Sequence, residues 1–249
     1  AYDRLGELHR AAANQFRHRM ADTELERFGR HLLASGNLEA ALDPLLRAVP
    51  AVQGTVGRGS AWRLLDTIEE TLKTLDLPRS DERWGQLYVE RAMLADMLGQ
   101  HVQSVKWASK AGREASRFGW KQIAAAANFR LARAAMRKGD LDMAQARLLR
   151  VTNQADPRRD PFLVGESLFL LGRIAKQAGD AKEEVARLMK AGRTWMLKEK
   201  DGRKRARALV HLARAAIEDG QPAICTALTE RARKIAIEVG DLPQQVMCL

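Results

Sequence analysis

The chain is short of cysteine, proline and aromatic residues, and each shortage closes off a class of protein. Two cysteines in 249 residues, Cys225 and Cys248, both near the C-terminus, cannot staple a disulfide scaffold. That usage points to a reducing, cytoplasmic compartment and to thiols that serve as small buried hydrophobes. Aromatics make up only 5% while Ala, Leu and Arg recur throughout, a supply that suits helices rather than sheets. No apolar run approaches the roughly 18 residues that span a bilayer. The opening Ala1-Tyr2-Asp3-Arg4 has no apolar signal segment, so no membrane targeting is expected. A chain that starts at Ala1 without Met, and stops in Val246-Met247-Cys248-Leu249 as a further repeat begins, is expected to be an excerpt of a longer protein.

What is present describes a folded chain. The composition is 46% hydrophobic and 29% charged, enough to bury a core and unlike a disordered tail. The net charge of +11 and a pI near 10.1 fit a nucleic-acid binder, and fit equally a groove for acidic peptides or anionic ligands.

The strongest pattern is a repeat. The same turn occurs at Gly36-Asn37, Gly99-Gln100, Gly139-Asp140, Gly179-Asp180 and Gly220-Gln221, the last four glycines being 40, 40 and 41 residues apart. Apolar residues flank each turn at helical spacing. Leu131, Ala132 and Ala135 precede Gly139, and Ala144, Leu148 and Val151 follow it. The other copies keep this register, as in Leu25, Phe28, Gly29 and Leu32 before Gly36 and Leu168, Leu171, Gly172 and Ala175 before Gly179. Glycine suits a helix C-terminus that must turn left-handed, and the Asn or Asp after it can cap the next helix. Small residues recur where two helices cross closely, as an antiparallel pair requires.

These residues resemble the tetratricopeptide repeat over roughly residues 24 to 240. Leu25, Tyr88, Asn128, Leu168 and Leu209 replace its usual Trp, Glu184 stands where a small residue is expected, and longer helices account for the longer period. The resemblance implies an all-α fold: a right-handed α-solenoid of antiparallel helix pairs, TPR-like, with a period of about 40. A second resemblance rests on Leu8-His9-Arg10-Ala11-Ala12 and on the segment from Gly29 through Gly36-Asn37-Leu38-Glu39-Ala40-Ala41. It is similar to the stretch that follows the ATPase module in large bacterial signalling ATPases, including protein-kinase fusions and maltose-regulator-type activators. There the helical repeats act as a sensor or docking arm, and no ATPase or kinase motif accompanies them in this chain.

The 63 residues from Gly36 to Gly99 break the period by a helix and a loop. The glycine-rich Gln53–Ser60 reads as that loop. The extra helix reads from about Trp62 to Leu75, stopping before Pro78, with Ser80 or Asp81 capping the next. Residues 1–60 therefore read as an N-terminal helical section with the first repeat, and 61–249 as the main array.

No constellation for catalysis emerges. The glycines from Gly54 to Gly59 lack the Lys-Ser/Thr ending of a phosphate loop and no strand precedes them. His9, His18, His31, His101 and His211 are scattered singly with no Cys or second His at ligand spacing. On a helix His9 and His18 fall about 180° apart. No nucleophile elbow frames a Ser, and Glu69-Glu70 and Glu183-Glu184 are adjacent and diverge on a helix. Neither an enzyme, a metal nor a cofactor is expected. Trp62, Trp84, Trp107, Trp120 and Trp195 share no repeat position and read as inter-helix packing, with Trp120 and Trp195 partly exposed at repeat junctions.

The informative pattern is basic. Six residues before each turn glycine stand Arg30, Met93, Arg133, Arg173 and Arg214. In the resembled fold the first helix of each pair lines the concave face, so these stack into a ladder, with Arg27, Arg130, Arg137, Lys176 and Arg207 beside it. Planar donors repeated every ~10 Å suit a carboxylate- or phosphate-bearing partner. The competing reading is that the arginines pair with Glu90, Glu166 and Glu218 on adjacent first helices. A further run, Lys198, Lys200, Arg203, Lys204, Arg205 and Arg207, reads as a solvated junction or a nucleic-acid contact. The expectation is a cytoplasmic, non-catalytic interaction or sensor module of a bacterial regulatory protein. It would hold an acidic peptide, a domain of its own chain or an anionic effector through Arg30, Arg130, Arg133, Arg137, Arg173, Lys176, Arg207 and Arg214. The alternative is sequence-independent nucleic-acid binding.

Overall fold

The computed structural model describes residues 2–16 and 24–248; His18 lies outside them. Among the described residues there are thirteen helices and no strand. They are α1 (Tyr2–Phe16), α2 (Leu25–Ala34), α3 (Leu38–Thr55), α4 (Arg58–Thr74), α5 (Glu82–Met97), α6 (His101–Phe118), α7 (Lys121–Arg137), α8 (Leu141–Gln154), α9 (Pro161–Ala178), α10 (Lys182–Leu197), α11 (Gly202–Glu218), α12 (Pro222–Glu238) and α13 (Leu242–Met247). They divide into two compact units, Ala1–Phe118 and Gly119–Leu249. Each is built from consecutive antiparallel pairs: α2 with α3 and α5 with α6 in the first, α7 with α8, α9 with α10 and α11 with α12 in the second.

The five repeat turns share one geometry because the same two hydrogen bonds close each of them. At Gly139 (φ 77°) the Asp140 N–H donates to Ala135 O and the Gly139 N–H to Met136 O, satisfying carbonyls that the end of α7 leaves open. The caps after the turns are less uniform. Asp140 accepts from Met143 N at 3.0 Å and so starts α8, whereas Asn37 makes no cap bond and Ala181 takes the cap position of α10. Asp81, rather than Ser80, caps α5 by accepting from Arg83 N.

The insert departs from expectation at Gln53–Ser60. The chain there is helical on both sides, with α3 running to Thr55 and α4 starting at Arg58, so Val56 and Gly57 alone connect them. A single left-handed residue, Gly57 at φ 115°, turns the chain, and the length expected as loop goes into buried helix at Gln53 and Gly54. Trp120, expected partly exposed, is 9% exposed. The turn into α7 is only Gly119-Trp120, so Trp120 is the N-cap residue of the helix and does not ride on a loop.

In the second unit the core runs through the pairs. Phe129, Leu148, Val151, Leu171 and Ile174 form one cluster, and Phe162, Phe169, Met196, Ala208 and Leu212 form the next. The α9–α10 crossing is close enough to bring backbone to backbone: a Cβ on Gly192 would lie 2.7 Å from Gly165 O and from Phe169 N.

Candidate partner-binding site

Charge is distributed unevenly between the units. Ala1–Phe118 carries 17 Lys and Arg against 16 Asp and Glu, whereas Gly119–Leu249 carries 25 against 15. Within the second unit the first helices α7, α9 and α11 hold 11 Lys and Arg against two carboxylates, Glu166 and Glu218. The second helices α8, α10 and α12 are closer to balance, with nine against five. The surplus is therefore a property of the first-helix layer.

That layer is bound together through its two carboxylates. Arg133 on α7 reaches Glu166 Oε1 on α9 at 3.6 Å, and His211 Nδ1 on α11 approaches the same oxygen at 3.4 Å. Arg173 on α9 reaches Glu218 on α11 at 3.1 Å. Glu166 is 2% exposed, so its charge is held away from water between two nitrogen-bearing side chains, an arrangement that is costly to leave half-formed. Burial pushes the His211 imidazole below its usual pKa; Glu166 opposes this, and Arg133, Arg207 and Arg214 reinforce it. Lys176 pairs with Asp219 at 3.7 Å, as does Arg193 at 3.1 Å.

Two of the four ladder arginines, Arg133 and Arg173, thus act as struts between adjacent first helices. Arg130 and Arg137 lie one turn to either side of Arg133 and have interaction partners of their own. Arg207 and Arg214, two turns apart on α11, have no carboxylate partner among the described residues. Arg30 lies in the other unit, exposed and paired with Glu26 at 2.8 Å on its own helix, and Met93 is buried there at 8% exposure. Half of the basic run from Lys198 to Arg207 is occupied. Lys198 sits 4.1 Å over the Trp195 ring, Arg203 donates to Val239 O, and Lys204 pairs with Asp160 at 3.1 Å.

Two cavities open on this unit. One of about 310 Å³ is lined by Met136, Ile174, Met189 and Ala215 together with the paired Arg173 and Glu218. The other, of about 350 Å³, is lined by Val210, Ala213, Arg214 and Ile217 of α11, Cys225 of α12 and Met247 of α13.

The first unit holds a cluster that single-residue spacing did not reveal. Arg91, 7% exposed, makes 2.7 Å contacts with both Asp66 and Glu69 and lies over the Trp62 and Trp107 rings. Tyr88 stacks on Trp107, takes a hydrogen bond from Arg79 and lies under Lys110, and its phenol is pushed up to about 12, chiefly by burial. The chain's own cations already occupy these aromatic faces, so the cluster ties α4, α5 and α6 together. A signal was available in the three tryptophans of this region, but only the fold reveals which cations they meet. His9 and His31 also meet, Nδ1 to Nδ1 at 2.9 Å; among the described residues no three His, Cys, Asp or Glu are grouped as a metal site.

No protein-family model matches the chain, and none of the curated proteins matches it. Among solved structures it is similar to BtubC (BKLC) from P. vanneervenii, at 15% identity and a TM-score of 0.53 over 96% of this chain and 92% of that one. It is also matched to a circular tandem repeat protein with novel repeat topology, at 18% identity and a TM-score of 0.25 over 99% and 68%. The first likeness shows the fold, an all-helical repeat architecture. No helix among the described residues is long and apolar enough to cross a membrane.

Proposed function

We propose that the chain is a non-catalytic interaction module whose Gly119–Leu249 unit holds an anionic protein partner, an acidic peptide or domain, along its first helices. The observation that carries this reading is the imbalance in α7, α9 and α11: 11 cations, two carboxylates, and both carboxylates already engaged by Arg133, His211 and Arg173. With the layer's own acids paired, Arg207 and Arg214, which have no carboxylate partner among the described residues, supply an attractive field that steers and orients an acidic partner. Arg207 and Arg214, two turns apart on α11, are the contacts best suited to that role.

The nucleic-acid alternative leans on the run from Lys198 to Arg207, and three of its six cations are occupied within the protein. An acidic protein surface is therefore the favoured partner. The resemblance of the Leu8–Ala12 and Gly29–Ala41 segments to the repeat arm of bacterial signalling ATPases supports a cytoplasmic regulatory setting. The test is titration of a short polyglutamate peptide by fluorescence anisotropy at low and rising salt. Binding that falls with salt, and weakens about tenfold or more in the Arg207→Glu/Arg214→Glu variant, is expected. Equal affinity for the two proteins would overturn the reading.

A further inference from the structure

The cavity on α11, α12 and α13 sets Val210, Ala213, Ile217 and Met247 beside Arg214, Glu218 and Thr229, and Arg207 lies two turns before Arg214 on α11. Ile217 in that wall is 63% exposed, a large apolar group left in water. Arg214 itself belongs to the wall. On α11 the row Arg207–Arg214 spans about 10 Å, seven residues at the helical rise, while Val210, Ala213 and Ile217 form a parallel row turned to one side of it. The one carboxylate in the wall, Glu218, is held by Arg173. A basic row and an apolar row thus run side by side along one helix.

We infer that this surface docks an acidic peptide segment carrying a bulky apolar side chain among its carboxylates, the apolar group entering the cavity and the carboxylates meeting Arg207 and Arg214. This rests on the anionic-partner reading above and sharpens it. Charge alone would accept any polyanion, whereas the cavity demands an apolar residue within the acidic stretch and so discriminates among acidic sequences. Cys225, free and half-buried in the wall, would be covered by the occupant, and its thiol reports on the cavity; Cys248, buried and with its thiol pushed up by burial, serves as the internal reference.

The experiment uses the intact chain and two labelled peptides, one of Glu and Ser with a single central Leu and the other with Ser in place of that Leu. The expected result is about tenfold tighter binding of the Leu peptide, the scale set by burying one such side chain. Ile217→Ser, at an exposed position that leaves folding intact by circular dichroism, should erase this preference while keeping the binding common to both peptides. The Leu peptide should also slow iodoacetamide modification of Cys225, located by peptide mapping, without slowing that of Cys248. Equal affinity for the two peptides, with both still dependent on Arg207 and Arg214, overturns the cavity inference and leaves the anionic reading standing. Failure of both peptides to bind overturns both. Tighter binding of a charge-matched single-stranded oligonucleotide, with unchanged Cys225 modification, replaces the peptide with a nucleic acid.

Discussion

Replacing Gly192 by Ala tests the architecture where it has least room to adapt. The new Cβ would sit 2.7 Å from Gly165 O and from Phe169 N and 2.9 Å from Phe169 Cβ, whereas ordinary contact begins near 3.4 Å. Two of these three neighbours are backbone atoms of α9, so no rotamer change relieves the clash, and α9 and α10 must part by about 0.7 Å. A gap of that size forfeits a quarter to a half of the dispersion energy of each contact it opens. With overpacking costs of about 1–3 kcal/mol and more, set against about 1 kcal/mol gained by replacing glycine in a helix, the net loss is about 2 kcal/mol. For a unit of this size that corresponds to roughly 8 °C in Tm. Gly165→Ala fills the same space from the other helix, with a Cβ 2.6 Å from Met196 N and 2.8 Å from Gly192 O. The double variant should therefore cost less than the sum of the singles, because one separation accommodates both. Gly59→Ala, at an exposed position in the first turn of α4 where nothing lies within 4 Å, should instead stabilise by about 0.5 kcal/mol. Urea unfolding of the four variants decides: a Gly192→Ala protein within about 0.5 kcal/mol of the parent refutes the backbone-contact argument.

Glu166→Gln should cost about 2 kcal/mol in urea unfolding, less than the 3–5 of a fully buried pair because the Arg133 side chain remains 38% exposed and can be hydrated; a loss below about 0.5 kcal/mol would mean that the strut carries no load. His211 titrates below its ordinary 6.5 in the folded chain, so the unfolded chain binds the extra proton first. Its contribution to stability is complete above about pH 6.5 and is lost as pH falls from there toward the folded value. Tm measured between neutral and mildly acidic pH should fall more steeply for the parent than for His211→Leu, and equal slopes would contradict the assignment. Asp140→Ala removes the bond to Met143 N and should cost about 1 kcal/mol by thermal unfolding, while Asn37→Ala, whose side chain makes no cap bond, should cost only a few tenths.

The repeat was legible because its turns are local chemistry. A left-handed glycine and two carbonyl-directed N–H groups need no distant partner, so Gly36, Gly99, Gly139, Gly179 and Gly220 are recognisable from sequence alone. The insert was harder because glycine content does not distinguish a loop from one sharp turn between helices, and only Gly57 has the positive φ that the composition suggested for the whole stretch. The ladder was legible as a periodicity, but whether an arginine meets solvent or a carboxylate depends on the neighbouring first helix, about 40 residues away in sequence. That distance hid the engagement of Arg133 and Arg173 and the sharing of Glu166 by Arg133 and His211. The Arg91 cluster was obscured for the same reason, since its partners come from two different helices, α4 and α6.

The struts and the binding surface depend on one another. Stacking three first helices that together carry 11 cations would be repulsive without the two carboxylates that bridge them, and each bridge fixes the neighbouring helix at the spacing its arginine can reach. Once Glu166 and Glu218 are engaged, no acid on these helices remains to neutralise Arg207 and Arg214. A mutation that frees Glu218 should therefore weaken an acidic partner as well as the fold. In Arg173→Met, the released carboxylate stands in the same cavity wall as Arg214 and can approach the cation meant for the partner. Restoring affinity by Arg173→Met/Glu218→Gln, which removes the strut and the competing acid together, would separate electrostatic competition from loss of structure. If the double variant binds as poorly as the single, the strut matters for the geometry of α11 and not for its charge.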